Sequence, residues 1–219
     1  MDEPARDAER CCFDDWADHW DRRARKKATV AGVTGPLLRA LTETGIAGRT
    51  VLDVGCGVGD LAIETARAGA ARATGFDLSG ESIERARRLA GDRGVGDRTS
   101  FEVGDGAAVE LPTSDIVVLN RVVCCYPDID ALLTNTLAAA GSVYAYTAPP
   151  SRGTAGLLAK MVVAISNAWY RLRDAKFGGF RVFVHDVDRI DERVRAAGFR
   201  PVRRELRRFA WELAVYERS

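Results

Sequence analysis

The chain has 219 residues, of which 47% are hydrophobic and 29% charged, which is enough material for one sizeable hydrophobic core. Its 32 basic residues nearly balance its 31 acidic ones, so the formal net charge of +1 gives no bulk attraction to a phosphate backbone, and nucleic acid is a disfavoured partner. The first ten residues lack the apolar run of a secretory signal, and the longest uncharged stretch, residues 131–151, contains polar residues and two closing prolines. We therefore expect a soluble, cytoplasmic protein without a transmembrane segment.

From residue 50 onward, short apolar runs alternate with helical segments, the pattern of parallel strands joined by crossover helices. Helices are predicted from Asp60 to Ala68 and from a cap at Ser79 to Gly91. The last two extended runs have almost no chain between them, so they should form an antiparallel hairpin. We therefore predict an α/β fold with a seven-stranded mixed sheet, whose strands are Thr50–Val54, Arg72–Phe76, Thr99–Val103, Ile116–Asn120, Ser142–Thr147, Phe199–Arg208 and Phe209–Arg218.

Two segments fall outside this predicted sheet. Residues 1–49 are charged and are predicted to form an N-terminal helical cap on the main domain, residues 50–219. A helical insertion is predicted over residues 151–180, after the fifth strand, and its central part is apolar on nearly every face. We favour a buried helix that joins the core over an apolar lid on a substrate site. Either segment is placed to cover the mouth of the sheet.

A glycine-rich loop follows the first predicted strand. Gly55, Gly57 and Gly59 let a ligand approach the backbone at the point where an α/β sheet offers its crevice. A dinucleotide fingerprint needs its third glycine at position 60, but that residue is Asp60. An acid at a helix N-terminus repels a pyrophosphate and is compatible with an ammonium or sulfonium group. A nicotinamide-dependent oxidoreductase is therefore disfavoured.

Acidic residues also end the next two predicted strands. Asp77 comes twenty residues after Gly57, where its carboxylate can accept both hydroxyls of a ribose. Asp105 lies between two glycines and can accept a hydrogen bond from an exocyclic amine such as that of adenine. The three strand ends together predict a nucleoside site.

Four segments of this region resemble the class I S-adenosylmethionine-dependent methyltransferases: Val51–Gly59, Gly75–Ser79, Gly104–Gly106 and Asp115–Asn120. The resemblance spans about residues 48–150 and implies a Rossmann-like fold that uses S-adenosyl-L-methionine and releases S-adenosyl-L-homocysteine. It implies that the glycine loop borders the methionine part, and that the ribose, the adenine and the underside of the cofactor lie at the ends of strands two, three and four. The cofactor-binding residues that it implies are Asp53, Gly55, Cys56, Gly57, Gly59, Asp77, Leu78, Asp105, Gly106 and Asn120.

The acceptor site is expected just after the fourth strand. There, Cys124 and Cys125 occupy positions that are His in many members of the family, and Tyr126 or His185 could act as a general base. Packing roles remain open for Cys124, Cys125 and Tyr126, and a helix cap or a surface position remains open for His185. For Cys56, packing is favoured over nucleophilic chemistry. Two tryptophans complete the candidates for acceptor contact, Trp16 and Trp169.

The five cysteines do not form the pattern of a disulfide framework. Their number is odd, none is spaced Cys-x-x-Cys, and four fall in two adjacent pairs, Cys11 with Cys12 and Cys124 with Cys125. Metal sites normally use separated ligands, so thiol coordination of a soft metal or arsenic is a less favoured alternative. We expect reduced thiols and no metal.

The prediction from the sequence is a methyltransferase acting on a small, hydrophobic molecule through an oxygen or sulfur acceptor. The insertion, two prolines before it and the closing hairpin are similar to the magnesium-protoporphyrin O-methyltransferases of the same superfamily. The alternatives are a non-catalytic nucleoside-binding regulatory module and a nucleic-acid methyltransferase, although no Pro-Pro-aromatic motif follows Asn120. Two basic clusters, residues 22–27 and 200–208, are interpreted as solvated faces, with attraction of an acidic substrate or of an anionic membrane as the alternatives. A monomer and a homodimer are both compatible with the sequence.

Overall fold

The structure is a computed structural model that describes residues 13, 14, 17, 21, 22, 24, 33–172, 179–207 and 210–219. The described strands are β1 Thr50–Val54, β2 Arg72–Asp77, β3 Thr99–Val103, β4 Ser114–Leu119, β5 Ala140–Ala148, β6 Phe199–Arg207 and β7 Trp211–Arg218. The longer described helices are α1 Thr34–Glu43, α2 Asp60–Arg67, α3 Gly80–Asp92, α4 Ile129–Ala139, α5 Gly153–Leu172 and α6 Val187–Ala196.

All seven predicted strands pair in one sheet, in the order β3-β2-β1-β4-β5-β7-β6. The strands β1 to β5 are parallel, and β7 runs antiparallel between β5 and β6. The predicted mixed sheet with a closing hairpin is therefore confirmed. After β3 the chain returns across the sheet to β4 beside β1, and this reversal of strand order opens a crevice at the carboxyl ends of the strands.

Two hydrophobic cores cover the two faces of the sheet. One face carries α2 and α3, with Leu61 and Ile83 fully buried, and α1 joins the same core through Leu37. The other face carries α4 and α6, packed on the buried rings of Tyr144 and Tyr216. The described part of the N-terminal segment is thus packed onto the sheet rather than forming a core of its own.

Helix caps agree with the sequence signals. The Ser79 hydroxyl accepts a hydrogen bond from the Ser82 amide, as expected for the predicted cap of α3. At α6, the Asp186 carboxylate caps the helix, so the neighbouring His185 does not. Such caps satisfy amides that have no partner inside the helix and so define where each helix begins.

The prediction that the insertion helix is buried is wrong. In α5 only Ala155 and Gly156 are buried, whereas Leu157 is 71% and Ile165 63% exposed. The hydrophobic pattern shows that these side chains favour burial, but it does not show whether another part of the chain is available to cover them. No helix in the described part of the chain is long and apolar enough to cross a membrane.

Candidate functional site

A cavity opens at the carboxyl ends of β1, β2 and β4, where the strand order reverses. It is lined by the glycine loop, by the turns after β2, β3 and β4, and by two residues of the N-terminal segment. Of the implied cofactor residues, all except Gly59 and Asp105 line it. The residues on the cavity wall are Phe13, Thr34, Asp53, Val54, Gly55, Cys56, Gly57, Val58, Asp60, Asp77, Leu78, Ser82, Gly104, Gly106, Asn120, Arg121, Val122, Cys125, Tyr126 and Leu132.

Asp77 holds the glycine loop in place. One of its carboxylate oxygens accepts a hydrogen bond from the Gly57 amide at 2.8 Å, and the other accepts one from the Ser79 amide at 2.9 Å. Burial raises the pKa of this carboxyl, while the two amides act in the opposite direction. Asp77 therefore links the end of β2 to the loop after β1 and faces the cavity from the position predicted for a ribose contact.

Two glycines of the loop are required for different reasons. Gly57 has φ of +54°, and a Cβ there would meet no protein atom within 4 Å, so it would occupy cavity space. Gly59 has φ of +76° and precedes α2, where a Cβ would lie 2.6 Å from the Phe101 ring. One glycine thus leaves room for a ligand, and the other allows close packing between the loop and the sheet.

Asp53 is a buried carboxylate on the cavity wall. Its side chain is 1% exposed, and neither oxygen forms a hydrogen bond with a described residue. Burial raises its pKa well above the ordinary value, the charges of Asp60 and Asp77 raise it further, and the nearby Ala62 amide lowers it. A buried acid in this state favours a cationic partner, which would replace the lost hydration.

Asp60 and Arg121 give the cavity wall an opposite pair of charges. Burial raises the pKa of Asp60, and the charge of Arg121 lowers it. Arg121 has φ of +64°, the left-handed region, and its amide donates a 2.7 Å hydrogen bond to the Thr147 hydroxyl. Arg121 is a site residue that the sequence alone does not indicate, because a single arginine after a strand carries no recognisable motif.

Asn120 and Thr34 show how the N-terminal segment contributes to the wall. The Asn120 amide donates to the Thr34 hydroxyl at 3.1 Å, and its oxygen accepts from Thr147 at 3.3 Å. Asp14 accepts a hydrogen bond from the Ser79 hydroxyl, and Phe13 lines the cavity. The contributions of Phe13 and Thr34 were also missed, since they come from a helical segment distant in sequence from the glycine loop.

Asp105 is placed differently from the expectation. Its carboxylate accepts hydrogen bonds from the Tyr126 hydroxyl at 2.8 Å and the Ala107 amide at 3.0 Å, and the cavity wall is formed instead by the neighbouring Gly104 and Gly106. The carboxylate of Asp105 therefore supports Tyr126 from behind the wall. Its contact with adenine stays a prediction.

The two candidate bases, Tyr126 and His185, are linked by a hydrogen bond to the backbone of Tyr126. Tyr126 lines the cavity, and its hydroxyl donates to Asp105. His185 is half-buried outside the lining, and its Nε2 lies 2.9 Å from the Tyr126 carbonyl oxygen, to which it donates. Burial lowers the pKa of His185, and this hydrogen bond raises it. Roles for these two residues in proton transfer stay predictions.

The thiols differ in their access to the cavity. Cys125 lines the wall, Cys124 is buried beside it, and their Sγ atoms are 3.3 Å apart. Cys56 also lines the wall, and burial together with the charges of Asp77, Asp53 and Asp60 raises its pKa well above the ordinary value.

The tryptophan candidates do not strengthen the predicted acceptor site. Trp169 lies on α5, 43% exposed, with its ring 5.4 Å from that of Tyr170, and it is not part of the cavity wall. Trp16 and the pair Cys11 and Cys12 lie outside the described residues. The acceptor role of each tryptophan therefore stays a prediction.

Comparisons with known proteins agree with this geometry. Residues 51–140 match a family described as a methyltransferase domain. Ribosomal protein L11 methyltransferase of Yersinia pseudotuberculosis is 31% identical over 136 residues, which are 62% of this chain and 43% of that protein. The corresponding protein of Escherichia coli strain 55989 is 30% identical over the same coverage. The chain thus spans less than half the length of these curated relatives.

Solved structures resemble a larger part of the chain. Magnesium protoporphyrin IX methyltransferase from Synechocystis, with bound S-adenosylhomocysteine, has a TM-score of 0.69 and 23% identity, covering 85% of this chain and 82% of that one. An O-methyltransferase family 2 protein from Planctomyces limnophilus, in complex with apigenin, has a TM-score of 0.63 and 19% identity, covering 90% and 62%. Residues 51–140 of this chain therefore match a methyltransferase domain, and the chain has the seven-stranded fold of the class I S-adenosylmethionine-dependent methyltransferases.

Proposed function

We propose that the protein transfers a methyl group from S-adenosyl-L-methionine to a small, hydrophobic acceptor through oxygen or sulfur. The observation that carries this proposal is the cavity at the reversal of strand order, with Asp53, Asp60 and Asp77 on its wall. Three carboxylates oppose a pyrophosphate and suit a ligand that carries an ammonium and a sulfonium group. A cytoplasmic location is part of the same proposal, because thiols stay reduced there.

The residues on the wall fit this cofactor. We propose that Asp77, which faces the cavity, accepts the ribose hydroxyls, and the absence of a side chain at Gly57 leaves the adjoining space open. Asp53, buried without a hydrogen bond from a described residue, would gain the cationic partner that its environment favours. When bound, the cofactor supplies a methyl group that is already activated by a positive sulfur, so the protein mainly supplies orientation and a site shielded from water.

The geometry favours an acceptor that does not need a base from the protein. The Tyr126 hydroxyl already donates to Asp105, and His185 lies outside the cavity lining. A carboxylate or a thiolate acceptor attacks without losing a proton in the same step. An apolar acceptor is supported by Phe13 on the cavity wall, whose ring packs edge-on against that of Phe180 with the ring centroids 5.6 Å apart.

A protein acceptor is the second candidate, and the named relatives are its support. The matching curated proteins methylate ribosomal protein L11 by name, but this chain spans less than half of their length. Of the structures with the larger overlap, one is named for magnesium protoporphyrin IX and another is in complex with apigenin, and both compounds are small molecules. We therefore favour a small molecule for this chain.

Calorimetry with S-adenosylhomocysteine tests the cofactor site. We expect the native protein to bind and Asp77→Asn to lose binding, because the ribose and the Gly57 amide both depend on that carboxylate. Asp97→Asn, an equal change at an exposed position in the turn Gly96–Arg98, should bind normally. Equal affinity of the native protein and Asp77→Asn, or tight binding of NADH, would contradict the proposal.

Methyl transfer separates an enzyme from a regulatory module. Labelled S-adenosylmethionine is incubated with the protein and an extract that contains small molecules and proteins. Label in an organic-extractable small molecule supports the proposal, and label in protein supports the second candidate. Cofactor binding without any transfer across such extracts would indicate a non-catalytic module.

The exposed face of α5 suggests a membrane as a further partner. Large apolar side chains along this face, including Leu157, Met161, Ile165 and Leu172, are each more than half exposed. The helix contains no acidic residue and carries Lys160 and Arg171, so its charge is complementary to anionic lipid. We propose that α5 lies on an anionic membrane surface, from which a hydrophobic acceptor could reach the cavity.

Vesicle co-sedimentation tests this contact. The protein should sediment with phosphatidylcholine vesicles that contain phosphatidylglycerol, and Ile165→Glu should abolish this binding. Ala138→Glu adds the same charge at an exposed position of α4 and serves as the matched control. Unchanged sedimentation of Ile165→Glu contradicts the proposal. A concentration-dependent dimer of the native protein that Ile165→Glu does not form also contradicts it, since the exposed face of α5 would then bind a second copy of the chain.

A further inference from the structure

Two adjacent cysteines bring their sulfur atoms together, and one of them, Cys125, lines the cavity. The Sγ atoms of Cys124 and Cys125 are 3.3 Å apart, although neighbouring side chains in an extended chain point in opposite directions. Here the chain turns: the Cys125 amide donates to the Val122 carbonyl at 2.8 Å. The Phe183 amide donates to the Cys124 carbonyl at 2.8 Å and holds the turn from outside.

The pair can be reached from the cavity. Cys125 is on the wall, between Val122 and Tyr126 in sequence, and the neighbouring Cys124 is 6% exposed with its sulfur 3.3 Å from that of Cys125. A ligand entering the cavity would therefore meet the sulfur of Cys125 first. The second sulfur needs little movement to join it, because it is already in contact with the first.

The surroundings favour reactivity at this pair. The hydrogen bond with Cys125 lowers the pKa of Cys124 against the effect of burial, and the nearby charge of Arg121 lowers it further. Cys56 lies in the same cavity but faces three carboxylates, which together with burial raise its pKa. Because the thiolate is the form that binds soft centres, the pair should react where Cys56 does not.

The two sulfur ligands of Cys124 and Cys125 limit which metal or metalloid centre can bind there. Within the described residues, no group of three or more His, Cys, Asp or Glu side chains is arranged to hold a metal ion. Two sulfurs are too few for a structural zinc site, which needs four protein ligands. They suit a soft, three-coordinate centre that brings its own third substituent.

We propose that Cys124 and Cys125 form a dithiol site that chelates a trivalent, thiophilic centre such as an organic arsenoxide. Both S–H bonds break and two arsenic–sulfur bonds form, while the oxygen of the arsenoxide leaves as water with the two thiol protons. The oxidation state of arsenic and sulfur does not change, so no oxidant or reductant is required. The site is independent of the proposed methyl transfer, since chelation needs no cofactor.

Phenylarsine oxide tests the site in the full chain. The background is Cys11→Ser with Cys12→Ser, because that other adjacent pair could also chelate, and no cofactor is added. We expect one arsenical per chain by intact mass, retained in excess glutathione and released by 2,3-dimercaptopropanol. A monothiol cannot compete with a chelate, whereas a dithiol can.

Single substitutions locate the binding. In the same background, Cys124→Ser and Cys125→Ser should each lose the glutathione-resistant adduct, and Cys56→Ser should keep it. Thermal unfolding of each variant in the absence of arsenical establishes that it is folded, and iodoacetamide labelling reports the remaining thiols. Complete release by glutathione, or a resistant adduct that survives Cys124→Ser, would overturn the proposal. Calorimetry with S-adenosylhomocysteine is a separate measurement, so failure of one proposal is distinguishable from failure of the other.

Discussion

Replacing Asp53 by Asn should change stability and ligand affinity in opposite directions. The side chain is 1% exposed and has no hydrogen bond from a described residue, and the charges of Asp60 and Asp77 raise its pKa in addition to the effect of burial. A neutral amide of the same shape removes the charge while keeping the packing. The ligand-free variant should therefore be more stable than the native protein at neutral pH, although it should bind the cofactor less well.

The size of both effects follows from this environment. A buried polar group without partners costs about 1–3 kcal/mol, and more when it is charged, so removing only the charge should stabilise the protein by about 1–2 kcal/mol. For a chain of this length that is an increase in Tm of about 2–8 °C. Loss of one charge-assisted hydrogen bond of about 1.5–3 kcal/mol should weaken ligand binding by roughly 10–150-fold.

The pH dependence of stability predicts independently that Asp53→Asn stabilises the ligand-free protein. Because the pKa of Asp53 is raised in the folded protein, its contribution to stability is fully present below the ordinary carboxyl range, whose reference value is 3.8, and is lost as pH rises through the raised pKa. The difference in Tm between Asp53→Asn and the native protein should therefore be small at acid pH and grow toward neutral pH.

Differential scanning fluorimetry across pH and calorimetry with S-adenosylhomocysteine measure the two effects. Asp115→Asn is the matched control. Asp115 lies at the start of β4, where its carboxylate accepts 2.8 Å hydrogen bonds from the amide and hydroxyl of Thr50, the first residue of β1, and these bonds lower its pKa. That variant should lose stability at neutral pH and keep its affinity. A lower Tm for ligand-free Asp53→Asn, or native affinity, would refute the reasoning.

Three other substitutions test separate parts of the site. Gly57→Ala should lower Tm by about 2–8 °C, because a left-handed backbone costs a non-glycine residue about 1–2 kcal/mol, and calorimetry should show weaker ligand binding; unchanged affinity would mean that the ligand does not approach this loop. Tyr126→Phe removes the 2.8 Å bond to the Asp105 carboxylate and should lower the free energy of urea unfolding by about 1–3 kcal/mol, whereas an unchanged value would show that the bond contributes nothing. His185 has a lowered pKa, so its contribution to stability is present above the ordinary His pKa of 6.5 and is lost as pH falls toward the folded-state pKa. Thermal melts of His185→Gln should lack this loss of stability at low pH. If the Tm of the variant instead follows the same pH profile as that of the native protein, the contribution of His185 is excluded.

The architecture and the cofactor loop were predictable from local patterns. Each predicted strand is present, with no end shifted by more than two residues, and Ser79 caps its helix as expected. The glycine loop and Asp77 were recognisable because the two lie at a fixed spacing across β1 and β2. Strand periodicity, turn residues and caps act over a few residues, so the sequence carries them directly.

Contacts between distant segments were decided only by the tertiary structure. Asp105 bonds to Tyr126, Phe13 joins the cavity wall, and the two sulfurs of the pair at Cys125 meet because of a turn held by another loop. The apolar α5 remains exposed because the rest of the described chain does not cover it. Hydrophobicity and residue type specify what a side chain favours, whereas the partner it meets depends on how the whole chain packs, and that packing fixes which groups face the cavity.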